Sequence, residues 1–292
     1  MRRVIALLAG GPRACALWCL LLVTGAAVAD AQRVSPPARA KRPAGAALTT
    51  PSPPLGAADQ ALLLRLVLAE DRRALGAGDE ALLVESLGHR HPTVRLTAVR
   101  ALGRLQRPSL VDAIEPVLRD PNVAVRAEAV NAVGQALQGF RSRAADDTGR
   151  RGAVDHGAEM LVRSAEVSPE PQMLGVAART LGRLPYADSA LVREVERLIV
   201  EMGQRPAAVG RTLVWSDASA AQGILHGLYA LVRSRRETGM PSATAVQLLR
   251  AATTFGLDAT SRITGGTPEA NARVRRLAYL SLAALRDSSR EV

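Results

Sequence analysis

The sequence predicts an all-α fold, an α-solenoid of stacked helix pairs, and three observations carry that prediction. The first is a repeat. Val94, Arg95, Ala98, Ala101, Leu102 and Gly103 recur as Val125, Arg126, Ala129, Ala132, Val133 and Gly134, a constant shift of 31 positions, as 125 against 94. A third copy at 177–184 keeps the alanine, the Leu-Gly and the closing leucine but has Leu174 in place of the arginine. A fourth at 274–285 keeps Val274-Arg275 but has Ala283 in place of the glycine. The second observation is apolar spacing in steps of three and four, and the third is that no stretch alternates with period two. Self-similarity at roughly 30 to 45 residues marks a solenoid, in which each helix pair covers its apolar face only by stacking on its neighbours.

Residues 1–31 read as a secretory signal peptide. Arg2, Arg3 and Arg13 form a basic start, residues 14–29 an apolar run, and Ala29-Asp30-Ala31 a small-residue cleavage site. That run is short of the roughly 20 residues needed to cross a bilayer, so no transmembrane span is expected after cleavage. The expected location is the periplasm or cell envelope of a bacterium. Cys15 and Cys19 both fall inside this segment, so a cleaved chain has no thiol for a disulfide, a nucleophile or a metal site.

Residues 32–56 are rich in Pro, Ala, Thr and Ser, with Arg33, Arg39, Lys41 and Arg42 and no acid. With few large apolar groups to offset ordering, this reads as a disordered linker. The helical array is expected over 57–286, with a short tail at 287–292. Leu62, Leu63, Leu64, Leu66, Val67 and Leu68 predict a first helix packed almost all round, which Gly76 and Gly78 end before Asp79 caps the next. The helix after Pro92 carries Val94, Ala98, Ala101, Leu102 and Leu105 on one stripe. Gly103 costs about 1 kcal/mol there relative to alanine. Its recurrence at Gly134 and Gly182 points to close helix-to-helix approach. The next helix is expected to start at Pro108, with Ser109 and Asp112 as a capping box, and to bend before Pro116.

This arrangement resembles a HEAT repeat, within the wider armadillo-like group. Pro116 bends a first helix, Leu118-Arg119-Asp120-Pro121 makes the turn, and Val125-Arg126 opens a second helix with Ala129, Ala132 and Gly134. The resemblance implies that the turn aspartate and the opening arginine, here Asp120 and Arg126, interact between successive repeats. Arg95 and Arg275 match the arginine, whereas His91 stands where the first repeat should have its aspartate. The resemblance covers 79–138 most fully, extends to 158–185 and 258–286, and fades over 186–257.

Residues 139–152 read as a polar insertion, a loop holding Arg141, Arg143, Arg150 and Arg151 against Asp146 and Asp147. Loops of this length are functional or loose, so the four arginines are the candidate binding loop. Further helices are expected at 155–166, 189–202, Ala218–Ser234, 242–255 and 268–286, with 203–217 and 256–267 as connections.

No residue pattern marks a candidate catalytic, cofactor-binding or metal-ligating site. His89, His91, His156 and His226 have no metal-ligand spacing, and no nucleophile elbow or phosphate-binding loop is present. Gly265-Gly266 ahead of a helix is a plain helix start. Removing 1–31 lowers the net charge from +11 to +9, of which the linker supplies +4. Every basic residue except Lys41 is arginine, which reads as GC-rich coding. With few aromatics as well, no nucleic-acid partner is expected.

Between Ala272 and Leu285 only Arg273, Arg275, Arg276 and Ser281 are polar. A terminal repeat needs a polar outer face, so a downstream domain, a partner or a second copy is expected to cover this one. The layout, an export signal followed by a leading helix and repeats, resembles the N-terminal half of bacterial exported proteins that end in a cyclophilin-type peptidyl-prolyl isomerase domain. That resemblance implies a substrate-holding role and no catalytic residue within these 292 positions. The leading expectation is a non-catalytic scaffold that binds a protein or peptide on its concave face, without a cofactor. The alternatives are the isomerase half and a basic solenoid for nucleic acid.

Overall fold

A computed structural model describes residues 54–74, 76, 78–142, 147–168, 170–187, 189–204, 217–234, 241–257 and 267–288. The expected signal peptide, nearly all of the linker, the side chain of Arg141, all of Arg143, and Gly265-Gly266 lie outside the described residues, as does most of the tail. The described chain is all-α, with no strand in it. Its helices are α1 (Ala57–Asp71), α2 (Asp79–Glu85), α3 (Pro92–Arg104), α4 (Val111–Ile114), α5 (Val123–Leu137), α6 (Gly139–Ser142), α7 (Asp147–Val167), α8 (Pro171–Leu181), α9 (Ser189–Gln204), α10 (Ala218–Ser234), α11 (Ala243–Ala252) and α12 (Pro268–Ser288).

These helices form an α-solenoid of two rows. The first row is α2, α4 with its flanking 3-10 turns, α7, α9 and α11. The second row is α1, α3, α5, α8, α10 and α12, and each member packs on the next. Second-row helices pack on one another far more extensively than first-row helices do. A double row held closer on one side is expected to bend toward that side, which makes the second row the candidate for the inner face.

The second row is set by its helix starts. Asn122 accepts from the amides of Ala124 and Val125, and Asp217 from those of Ser219 and Ala220. His91 Nδ1 accepts from Thr93 N, and Thr267 Oγ1 from Ala270 N. Prolines 92, 171 and 268 occupy first-turn positions, where the missing N–H is no loss. Each helix then buries a stripe of small and branched residues; α5 buries Val125, Ala129, Val130, Ala132, Val133 and Leu137. Burying one such leucine or valine contributes about 1.5–3 kcal/mol.

Several local expectations change. Arg73 and Ala74 adopt φ of 58° and 49°, so α1 ends before the glycines reach the turn. Asp79 does not cap α2. Its carboxylate accepts from Gly76 N and pairs with Arg72, which holds it below the usual carboxylate range. It therefore closes the α1–α2 turn, while Gly78, at φ 81°, precedes the helix. Ser109 forms no capping box, because a 3-10 turn at Pro108–Leu110 starts this segment without a side-chain cap. Pro116 acts as expected: α4 gives way to a 3-10 turn at Glu115–Arg119, since proline cannot donate to the preceding turn.

The first helix is not packed all round. Leu66 and Ala69 are buried, but Leu64 is 62% exposed and Leu68 43%. Among the described residues, α1 packs in its row on α3 alone. The 139–152 insertion is also largely helical, forming α6 and the first turns of α7. Asp147 starts α7, and Arg151 is exposed and Arg150 half-buried on it, so the described part of a charge run read as a loop lies on a helix.

Candidate functional site

A ladder of charge ties the first repeats together. Arg95, at the start of α3, grips the buried Asp120 with two bonds, Nε–Oδ2 at 2.6 Å and Nη2–Oδ1 at 2.8 Å. Its remaining nitrogen donates to the carbonyls of His89 and Arg90. Arg126 repeats the pattern one step on, donating to the carbonyls of Asp120 and Pro121 and, at 2.7 Å, to Glu170. Each arginine thus closes its own turn and reaches the acid ahead of the next second-row helix. Arg275 donates to the Phe255 carbonyl of its own turn. At the first step the polarity is inverted: Asp59 on α1 lies 3.5 Å from His89 and 3.6 Å from Arg90. His91, buried at the position of an aspartate, caps α3 instead.

The glycines mark where helices cross. A Cβ on Gly103 would lie 2.6 Å from Ala132 Cα, and one on Gly134 would strike the Thr180 methyl. At Gly182 it would lie 2.6 Å from the Gly227 carbonyl carbon, with other Gly227 backbone atoms nearer still. Gly175 is similarly placed against Ala220, and Gly223 against the Gly175 backbone. Gly223 and Gly227, four apart, lie on one strip of α10 and bring it into backbone contact with α8. That spacing is visible in the sequence, but the matching glycines of α8 are seven apart and only packing pairs them.

On the other side of these helices a polar stripe faces solvent. In its N-terminal half Arg100 and Arg104 on α3 adjoin Glu128, Asn131 and Gln135 on α5, and Arg104 pairs with Glu70. Burial raises the Glu128 pKa, only partly offset by Asn131 and Arg100. In the C-terminal half Arg179 on α8 and Arg183 in the turn just past it face His226 on α10, and Arg233 sits 5.8 Å from the Tyr229 ring centre. Burial lowers the His226 pKa first, and Arg179 and Arg183 lower it further.

Glu128 gives a direct prediction. Above its raised folded pKa it is ionised in both states and the folded state carries the desolvation cost; below its unfolded pKa, about 4.3, it is neutral in both. The Glu128→Gln variant should therefore be more stable than the parent at pH 7, by on the order of 0.5 kcal/mol. The gain should shrink as pH falls toward about 4, read from urea midpoints.

Arg95, Asp120, Arg126, Gly103, Gly134, Gly182 and Arg275 thus sit at turns and crossings of the second row. Arg150 and Arg151 do not join them: they lie on α7 in the first row, where Arg150 Nε donates to the Pro185 carbonyl at 3.4 Å. Glu170 is the main partner not foreseen from the sequence, because it lies 44 residues from Arg126 in a copy lacking the turn aspartate. The first row also bears a shallow groove walled by Leu118, Met160 and Val167. Among the described residues there is no cluster of three metal-binding side chains, and no helix is long and apolar enough to cross a membrane.

Fold and packing define the class, an α-solenoid built from repeated helix pairs. Residues 80–150 match the family model for HEAT repeats, spanning α2 to the first turns of α7. An engineered protein of known crystal structure is similar over 78% of this chain and 90% of its own, with TM-score 0.43 and 16% identity. The archaeal HEAT-like repeats protein from Thermococcus onnurineus NA1 is similar over 80% of this chain and 99% of its own, with TM-score 0.36 and 18% identity. No curated protein matches the chain.

Proposed function

We propose that this protein is an exported, non-catalytic scaffold whose second-row face holds a segment of another protein. The observation that carries the reading is the polar stripe of α3, α5, α8 and α10, along which Arg100, Glu128, Gln135, Arg179, His226 and Arg233 are exposed or half-buried. A packed row needs its glycines and alanines on the flanks that meet the neighbouring helices, and the face turned to solvent is left to present side chains to a ligand. Asn131, Gln135, Gln138 and Gln222 along it offer both donors and acceptors, which suits the amides and carbonyls of an extended peptide. The basic start, apolar run and cleavage site of residues 1–31 support export.

A photocrosslinking residue placed at 100, 135, 183 or 226 should capture a protein partner in envelope preparations, whereas the exposed first-row positions 166 and 201 should not. Capture from the first row alone, or from neither row, would contradict the reading. N-terminal sequencing should find the mature chain beginning near Gln32; an intact Met1 would contradict export.

A second reading concerns the last helix. Tyr279 is 60% exposed and Leu280 47%, on a helix that the repeat would otherwise cover. This supports a further packing element on α12, supplied by another domain, a partner or a second copy. Truncating both side chains to serine should then weaken partner capture while leaving the fold intact. Unchanged capture by that variant would count against it.

A further inference from the structure

We propose that Arg179, Arg183 and His226 form a cradle for the carboxylates of an acidic polypeptide, at the point where α8 and α10 cross. The proposal rests on the scaffold reading above and names the chemistry its ligand brings to that face.

The crossing places the three side chains together. Gly182 and Gly227 are in backbone contact, and a Cβ on Gly227 would meet the Ala178 backbone. Arg179 near the end of α8 and Arg183 in the turn after it flank that contact, and His226 precedes it on α10. The two arginines are four residues apart, and Gly182 keeps right-handed helical angles, so the turn carries Arg183 past the helix end on the side of Arg179. The backbone under Arg183 is pinned, because Gln138 Nε2 donates to its carbonyl at 2.7 Å. Arg183 and His226 reach solvent, while Arg179 is half-buried and its Nε is buried without a hydrogen bond. Arg233, resting over Tyr229, extends the positive surface along α10.

The helices that carry Arg179 and His226 bring no acid of their own. Neither Pro171–Leu181 nor Ala218–Ser234 contains an Asp or Glu. Among the elements packed on α10, α9 carries Arg193, Glu194, Glu196, Arg197 and Glu201, and α12 carries Glu269, Arg273, Arg275 and Arg276. The charges that act on the His226 ring are Arg179 and Arg183, and they disfavour its charged form. Paired guanidinium groups accept carboxylates in forked geometry. A bound carboxylate would add negative charge beside all three groups and draw a proton onto His226. A nucleic-acid backbone fits worse, because the same stripe continues into Glu128 and Glu70, which repel a continuous run of phosphates.

The test is an NMR titration of the His226 ring in the full chain. Hexaglutamate at millimolar concentration should raise the His226 midpoint, and hexaglutamine should not. Affinity should tighten as pH falls from about 7.5 to about 5.5, the range in which histidine titrates, and should drop at least about tenfold in the Arg179→Gln/Arg183→Gln double variant. Should that variant fail to fold, the contrast between the two peptides on the parent protein decides. A His226 midpoint unmoved by hexaglutamate overturns the cradle, and if crosslinks at 135 or 183 still capture a partner, the scaffold reading survives it. No capture anywhere on the second row removes both. Inorganic phosphate or a single-stranded oligonucleotide moving His226 where hexaglutamate does not would also overturn the proposal, in favour of a phosphate ligand.

Discussion

Replacing Gly182 with alanine is expected to lower stability by roughly 2–4 kcal/mol, although alanine is the better helix former by about 1 kcal/mol. The added methyl would be driven into the Gly227 backbone, within 2.6 Å of its carbonyl carbon. Backbone cannot rotate aside as a side chain can, so α8 and α10 must separate along the most extensively packed interface of the row. In a chain of this size the melting temperature should fall by roughly 5–15 °C. Gly152 supplies the control. It lies exposed in α7, with no neighbouring atom within 4 Å of where an added methyl would sit, and Gly152→Ala should stabilise by up to about 1 kcal/mol. Equal effects at the two positions would mean that the glycines of the second row do not set the helix spacing.

The second large effect is at the ladder. Arg95→Ala leaves the Asp120 carboxylate, 5% exposed as a side chain, with the Asn122 amide as its remaining partner. Breaking a buried pair from one side costs about 3–5 kcal/mol, mostly from the uncompensated charge that remains. Arg126→Ala should cost less, because Glu170 is 42% exposed and water replaces the lost partner. Adding Asp120→Ala to Arg95→Ala should restore part of the loss. Urea midpoints of the three single variants and the double report both the order and the coupling. An Arg126→Ala loss as large as that of Arg95→Ala would contradict the ladder.

The repeat pattern was legible because the fold is periodic. Val94 to Gly103 and its echo at Val125 to Gly134 carry the same turn, arginine and small-residue stripe, and these sit side by side in the row. What stayed hidden were the features that depend on neighbours. Glu170 takes the place of a missing turn aspartate through packing, 44 residues from Arg126. The 139–152 segment looked like a loop because its charges are dense, yet dense charge is also what the solvent side of α7 requires. Leu64 and Leu68 looked like core residues because composition does not reveal that, among the described residues, α1 packs in its row on α3 alone. Of the polar stripe, His226 carried no signal of its own: a lone histidine becomes notable only when the crossing at Gly182 brings Arg179 and Arg183 beside it.

The central claim is the order of the second row, and it can be measured by electron–electron distances between spin labels. With Cys15 and Cys19 changed to serine, cysteine pairs at 100/183 and 100/233 each report one separation. Helices packed about 8–10 Å apart place position 183 two steps from position 100 and position 233 three steps away. The account predicts separations of about 20 Å and about 30 Å in that order; equal or reversed values would contradict it.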